Sequence, residues 1–307
     1  MKEEALKRMT STLGDKMRQN EPMSLHTSFR IGGPADLYAV ATSAQELTRL
    51  VSLAREHDIP YLIIGRGTNI LVADEGIRGL VIENGLQDMY FEDDVVLYAE
   101  SGALLRDLAR ESARRGLGGL EWAVGIPGSV GGAIVANAGA YDGYVGDVLR
   151  RASVLGADGT LHELSAKELG FGYRTSKFKG QGAEDNPEVI LSAEFVLRPE
   201  PARTIAEKIA DYTRRREESQ PAEPSAGSVF KRTEQYPAGF LIEQASLKGA
   251  CIGGAQISPK HANFIVNLGK ARAADVKALI DLAQEQVREQ FGQELELEIE
   301  LIGEWNG

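Results

Sequence analysis

Two hydrophobic rhythms run along this chain, one with the period of a helix and one with the period of a strand. In TSAQELTRLVSLAREHD (42–58), Leu47, Leu50, Val51 and Ala54 recur on one helical face, and Ser43 with Glu46 reads as a capping box. PYLIIG follows as a buried strand that runs into GRGTN (65–69), and ILVAD and GLVIEN are further short strands. VVLYAESGALLRDLARESARRG predicts a strand and then a helix with Leu104, Leu105, Leu108 and Ala109 facing inward. RASVLGADGTLHEL predicts a hairpin turning at Asp158 and Gly159, and EVILSAEFVLRPE another strand.

RTIAEKIADYTRRREES predicts a helix that ends before Pro221. AADVKALIDLAQEQVREQF predicts one with Val276, Ile280, Ala283, Val287 and Phe291 along one face. ELELEIELIG alternates strictly and predicts a strand, with Glu294, Glu296, Glu298 and Glu300 on one side and Leu295, Leu297, Ile299 and Leu301 on the other. The opening MKEEALKRMTSTLGDKM carries Leu6, Met9, Leu13 and Met17 at helical spacing. Strands and helices are segregated rather than alternating, which indicates an α+β fold. A composition shift at Pro199–Pro201 marks a domain boundary.

Charge narrows the function classes. The formal net charge is −11 and the only dense basic run is Arg214-Arg215-Arg216, so a nucleic-acid partner is not expected. No apolar stretch approaches the ~20 residues that span a bilayer, so no membrane partner is expected. A single cysteine, Cys251, leaves no disulfide framework, and a cytoplasmic location is the default reading. His26, His57, His162 and His261 are scattered without ligand spacing, so no metal is expected.

Glycine changes the picture more. Many of the 34 glycines gather in GLGGLEWAVGIPGSVGGAIVANAGAYDG (116–143). Gly125, Gly128, Gly131 and Gly132 let backbone amides approach a ligand, and concave runs of amides bind phosphate. Tight turns packed on a sheet are the plainer alternative. GRGTNI offers Gly65 and Gly67 after a strand, but Ile70 stands where a dinucleotide fingerprint has its third glycine, and a strand follows. No P-loop pattern is present. Two glycine-rich loops sharing one phosphate-bearing ligand, without a Rossmann domain, fit these facts.

Ser228 in EPSAGSVFKR has no histidine near it in the sequence and does not sit in a hydrolase nucleophile elbow. On local grounds a turn serine accounts for it as well as a chemical role does. FGYRTSKFKG gathers Tyr173, Arg174, Lys177 and Lys179, which spacing alone reads as a solvated basic loop. Periodicity singles out none of the C-terminal glutamates.

Taken together, HTSFRIGGPAD, IIGRGTNILV, GIPGSVGGAIVANAGAY, GYRTSKFK, PSAGSVFKR, GGAQISPKHANFIVN and ELEIELIG resemble, in order and over nearly the whole chain, the UDP-N-acetylenolpyruvoylglucosamine reductase (UDP-N-acetylmuramate dehydrogenase) family. The resemblance implies a two-lobed FAD-binding domain of the vanillyl-alcohol-oxidase (PCMH) type plus an α+β substrate-binding domain. Residues 1–29 would form a helical segment and 30–198 the FAD-binding domain, with lobes of about 30–85 and 86–198. Residues 203–293 would form the substrate domain, and 294–307 a strand returning to the flavin region. The short connection in this chain of 307 residues is similar to the family's shorter type, which lacks the extra tyrosine-bearing loop of the substrate domain.

The family's chemistry implies roles. NADPH reduces non-covalent FAD, the flavin N5 delivers hydride to C3 of the enolpyruvyl group of UDP-N-acetylglucosamine-enolpyruvate, and Ser228 protonates C2. UDP-N-acetylmuramate results, for peptidoglycan synthesis and hence cell shape and division. Arg174 matches the arginine that stabilises the enolate-like intermediate, since a guanidinium fork suits a carboxylate on which charge develops. Glu298 matches an acidic residue near the same carboxylate, where its carboxyl would titrate high. Lys231 is a nearby cation for the serine oxygen once its proton has left.

The flavin contacts implied are Gly65, Arg66, Gly67, Thr68, Asn69 and Ile70 in the first loop. In the second they are Gly125, Ile126, Gly128, Ser129, Gly131 and Gly132, followed by Asn137, Gly139 and Ala140. Tyr173, Arg214, Lys231, Gln256 and Asn263 are the expected substrate contacts, with Arg215, Arg216, Arg232 and Lys260 as further cations. Another oxidase on this fold would use the same glycine loops. A binding module that had lost the chemistry would be expected to lose Ser228, Arg174 or Glu298 first, and all three are present.

Overall fold

The computed structural model describes residues 17–181 and 186–305. It divides into two compact units, one built chiefly from Leu37–Gly65 and Gly79–Arg216, the other from Gln19–Asp36, Arg66–Arg78 and Glu217–Gly307. The sites expected at Leu6, Met9 and Leu13 lie outside the described residues.

In the first unit, the helix Ala44–Glu56 begins where Ser43 turns extended and its hydroxyl accepts the Glu46 amide. The Glu46 carboxylate closes the box on the amide and hydroxyl of Thr42, one residue before the expected partner. The buried face of this helix, Leu47, Leu50, Val51 and Ala54, shares a core with Leu37, Tyr61, Leu80 and Ile82. Those residues come from a four-stranded sheet ordered Met17–Pro22, Pro34–Ala41, Ile77–Asn84, Tyr61–Ile64, in which Tyr61–Ile64 runs parallel to Leu80–Glu83.

A second core in the same unit lies on a five-stranded antiparallel sheet. Its order is Leu161–Ser165, Leu149–Leu155, Val189–Val196, Val96–Glu100, Met89–Phe91. The hairpin predicted at Asp158–Gly159 pairs Leu155 with Leu161. Val189–Val196 is buried on both faces as far as Phe195, with Ser192 and Glu194 among its apolar residues. Val189 and Leu191 enter the first core, whereas Ile190, Ala193 and Phe195 enter the second with Leu108, Trp122 and Ile134. The helix Leu105–Arg114 buries Leu105, Leu108 and Ala109 as predicted, but Leu104 is its extended cap and bridges Ser129.

In the second unit, the strands Cys251–Ile252, Ala255–Ile257 and Ile265–Asn267 form an antiparallel sheet. The helices Ala238–Gln244 and Ala273–Phe291 contribute Leu241, Val276, Ile280, Ala283 and Val287 to one core with Val229, Phe230, Leu295 and Ile299. Phe291 is exposed instead, in the last turn before Gly292 ends the helix in a left-handed conformation.

Three expectations need correction. Met17–Pro22 is strand and Met23–Leu25 a single 3₁₀ turn, so the described part of the segment expected to be helical over 1–29 is not helical; Pro22 and the left-handed Asn20 are incompatible with a continued helix. The start expected for a substrate domain at residue 203 lies inside the helix Ala202–Ser219, which belongs to the first unit as far as Arg216. Lys208 holds this helix there by binding Glu121 at 3.1 Å and Glu200 at 2.6 Å.

The C-terminal strand is also shorter than its alternation suggests. Only Glu300–Ile302 enters a ladder, parallel to Ile70–Val72. Before it, Leu295 and Ile299 are buried and Glu294 and Glu296 exposed, as period two requires, but the chain changes partner on the way. Lys231 donates its amide to the Glu296 carbonyl and Leu297 bridges Phe230, after which Glu300 turns to the Asn69 carbonyl. Glu298 sits at this change of partner.

Candidate active site

Ser228 and Glu298 are brought together by that crossing. The Glu298 amide donates to the Val229 carbonyl at 2.8 Å, next to Ser228 in the chain. The Glu298 carbonyl accepts from Asn69 Nδ2 at 3.1 Å. Ser228 follows Gly227, which is left-handed at φ 77°, and its half-buried hydroxyl makes no hydrogen bond to other described residues. On its other side the segment is gripped by Asn263. The Asn263 carbonyl accepts the Val229 amide at 2.8 Å, its Oδ1 accepts the Phe230 amide at 3.0 Å, and its Nδ2 donates to the Phe230 carbonyl at 2.8 Å. Asn263 is buried, with both ends of its side-chain amide on Phe230.

The same unit contains most of the first glycine-rich loop. Gly67 is left-handed, and a β-carbon there would stand 2.3 Å from the His26 carbonyl oxygen. Ser28 closes the arrangement: its amide donates to the Gly67 carbonyl, and its hydroxyl donates to the Ser225 carbonyl at 2.7 Å. Arg66 is exposed, whereas Thr68, Asn69 and Ile70 are half-buried. Ser28 was not assigned a role from the sequence. It lies within HTSFR, but its partners are far along the chain and leave no local signature.

In the first unit, Gly65 meets the glycine cluster. A β-carbon on Gly65 would stand 2.1 Å from Ser129 Oγ. Ser129 caps the helix Val130–Val135 and is buried. The amides of Val130 and Gly131 donate to the carbonyls of Ala103 and Ser101, and Gly128 accepts from Leu105, so this edge of the cluster is held by protein. The amides of Gly128 and Ser129 have no acceptor among the described residues. The Ile126 amide donates to Ala123, and Gly132 approaches Ser129 Oγ at 3.5 Å. Of the clustered glycines, some therefore permit close packing and others leave donors open.

The cluster also carries Arg174. Asn137 donates to the Gly172 carbonyl at 2.9 Å and accepts from Gly146. The Ser176 hydroxyl donates to the Val135 carbonyl at 2.8 Å. Between these anchors Gly172 and Thr175 pair in a tight turn, with Arg174 left-handed at φ 56° and its guanidinium 5.5 Å from the centroid of the half-exposed Tyr173 ring. Gly139 and Ala140 pair with Tyr144 and Gly143 around the left-handed Tyr141 and Asp142, and no side chain fits at 139, where Tyr144 would be 2.3 Å away.

The arginine run is resolved by helical geometry. Arg214 and Arg215 both reach Asp211 on the exposed face of their own helix. Arg216 lies instead across Gly125, where a β-carbon would meet its Cδ at 2.5 Å. Burial pulls the Arg216 pKa down from its ordinary value. No carboxylate pairs with it among the described residues. Lys231 bonds Glu296 at 3.2 Å, and Gln256 Nε2 lies 3.2 Å from both the Gly249 carbonyl and Cys251 Sγ. Among the described residues, no cluster of His, Cys, Asp or Glu could hold a metal, and no helix is long and apolar enough to cross a membrane.

These features fit an anionic, phosphate-bearing cofactor: a cradle too narrow for side chains, open amides at Gly128 and Ser129, and Arg216 against Gly125. They define a protein with a cradle for an anionic cofactor in an α+β fold. Comparison with known proteins agrees. Residues 35–165 match the FAD binding domain model, and residues 220–302 match that of the UDP-N-acetylenolpyruvoylglucosamine reductase C-terminal domain.

A UDP-N-acetylenolpyruvoylglucosamine reductase of Agathobacter rectalis is 47% identical over 301 residues, covering 94% of each chain. One from Clostridium botulinum (strain 657 / Type Ba4) is 46% identical over 289 residues, 94% of this chain and 92% of that protein. The crystal structure of UDP-N-acetylenolpyruvylglucosamine reductase from Thermus caldophilus aligns with a TM-score of 0.80 at 36% identity, over 93% of this chain and 99% of that one. The chain belongs to the UDP-N-acetylenolpyruvoylglucosamine reductase family, and it is an oxidoreductase with an FAD-binding domain.

Proposed function

We propose that this protein reduces the enolpyruvyl double bond of UDP-N-acetylglucosamine-enolpyruvate to give UDP-N-acetylmuramate, with NADPH as reductant, in the cytoplasm. The first unit, through Arg216, would serve the cofactor and the chain from Glu217 to residue 293 the substrate, with the C-terminal strand returning toward the first loop. The observation that carries the reading is the crossing of PSAGSVFKR and ELEIELIG, which sets Ser228 beside Glu298 through the Glu298–Val229 hydrogen bond in a chain of this family.

Gly65, Gly125, Gly128, Ser129, Gly131 and Gly132 would hold the cofactor, supported by the close Gly65–Ser129 approach. Bound FAD supplies hydride equivalents, taken from NADPH and given to C3 of the enolpyruvyl group. Arg174 would hold the substrate carboxylate as charge develops on it, as a preorganised guanidinium does best. The Ser228 hydroxyl would give its proton to C2. A hydroxyl is a weak acid, but an enolate-like carbon is a strong enough base to take its proton if the oxygen left behind is stabilised. Glu298 would face the same carboxylate.

One purification tests this reading. The protein is expected to be yellow and to oxidise NADPH rapidly only when the enolpyruvyl sugar nucleotide is added. Colourless protein that does not take up FAD would refute it.

A further inference from the structure

We infer that Asn263 is a positioning residue for protonation: it sets the Ser228 hydroxyl by clamping the peptide that follows it. This rests on Ser228 being the proton donor. Segment 229–231 is held from two sides. On one, Glu298 donates its amide to the Val229 carbonyl and the Glu296 carbonyl accepts the Lys231 amide, from a chain that is itself changing partner and has no continuous ladder there. On the other, Asn263 makes three hydrogen bonds, two of them from its side chain to the amide and carbonyl of Phe230.

A side-chain amide that accepts from the N–H and donates to the C=O of one residue, Phe230, fixes the rotation of the two peptides that flank it as a β-ladder would. Here it replaces a missing strand partner. The peptides on either side of Val229 then have defined orientations, and so does the Cα–Cβ direction of Ser228. The left-handed Gly227, with open space around it, supplies no such restraint from the other end. Asn263 is itself fixed, because its amide donates to His261 Nδ1 at 3.2 Å and its neighbour Phe264 accepts from Ser258 in the turn between the strands Ala255–Ile257 and Ile265–Asn267. Proton transfer to carbon depends steeply on alignment, so loss of the clamp should slow that step selectively.

The test is an Asn263→Asp variant, studied as the FAD-loaded full chain by rapid mixing. The aspartate keeps the acceptor for the Phe230 amide. When ionised, it places an oxygen against the Phe230 carbonyl; when protonated, it restores the donor, and its burial raises the pH at which this happens. At pH 8 reduction of the flavin by NADPH should match wild type. Reoxidation by the enolpyruvyl substrate should be about 30-fold slower, as expected when one hydrogen bond holding a reacting group is lost and its buried carbonyl is left facing a negative oxygen. As pH falls, reoxidation should recover relative to wild type. An Asn263→Ala variant should show the same split between the two steps without the recovery, and Ser228→Ala/Asn263→Ala should be no slower than Ser228→Ala alone. Asn263→Asp tracking wild type at every pH would overturn the inference. So would equal slowing of both steps in Asn263→Ala, which is also the deciding variant if Asn263→Asp does not fold. Failure of wild type to be reoxidised by the substrate would instead overturn the functional reading beneath it.

Discussion

The Gly65–Ser129 contact and the Ser228–Glu298 crossing place functional groups by opposite means. At the first, position follows from what is missing. With no β-carbon at Gly65, the Ser129 side chain comes within the space one would occupy, and Ser129 is buried there with its amide open. At the second, position follows from what is added. Asn263 and Asn69 use their side-chain amides to complete hydrogen bonding where the strands do not. The first device is stiff and intolerant of any added atom. The second is held by a few hydrogen bonds of about 1 kcal/mol each, so it is graded and adjustable.

Among changes to the two devices themselves, the larger effect should come from breaking the stiff one. Gly65→Ala forces a methyl against Ser129, and where bound cofactor keeps Ser129 from shifting, overpacking of about 2–3 kcal/mol falls on the bound state and corresponds to roughly 100-fold weaker FAD binding. The ratio of flavin to protein absorbance after purification measures it, and a variant as yellow as wild type would refute the cradle. A smaller effect is expected at the adjustable device. Asn69→Ala removes the hydrogen bond to the Glu298 carbonyl and should slow turnover about tenfold while the purified protein stays yellow. Loss of colour in that variant would mean that Asn69 serves the cofactor instead.

How much of this was legible in the sequence follows from the same contrast. Gly65 and the glycine cluster announce themselves by composition, because close approach demands one residue type. The helix faces at Leu47–Ala54 and Val276–Val287 were equally plain, since their periodicity is local. The Ser228 crossing was not, because Ser28, Asn69 and Asn263 act on carbonyls far along the chain and leave no local pattern. Only the ordered run of motifs pointed to Ser228. The alternation of ELELEIELIG overstated the strand for the same reason: period two reports burial on one side, and it is silent about a change of hydrogen-bond partner at Glu298. Arg216 became distinct from Arg214 and Arg215 only through its packing on Gly125.

Two smaller effects sharpen the comparison. Lys231 was expected to steady the serine oxygen, but its ammonium bonds the exposed Glu296. A surface pair is worth about 0–1 kcal/mol, so Lys231→Met should change turnover by less than about fivefold; a larger loss would return Lys231 to the proton-transfer site. The smallest effect concerns His261, beside the clamp. Burial lowers its pKa from the ordinary 6.5, and Lys248 adds to this. The folded state therefore binds fewer protons there than the unfolded chain. This contribution to stability is complete above pH 6.5 and is lost as pH falls from that value toward the lower folded one. His261→Gln should make the melting temperature about 2 °C less sensitive to acidification from pH 7.5 to 5.5, by thermal unfolding followed at both ends of that range. An unchanged slope would refute it.

The central claim is that Ser228 gives the proton. In single-turnover mixing, Ser228→Ala should be reduced by NADPH at the wild-type rate and then be reoxidised by UDP-N-acetylglucosamine-enolpyruvate at least about 10³-fold more slowly, the scale of a lost general acid. Reoxidation of Ser228→Ala at the wild-type rate would contradict the account.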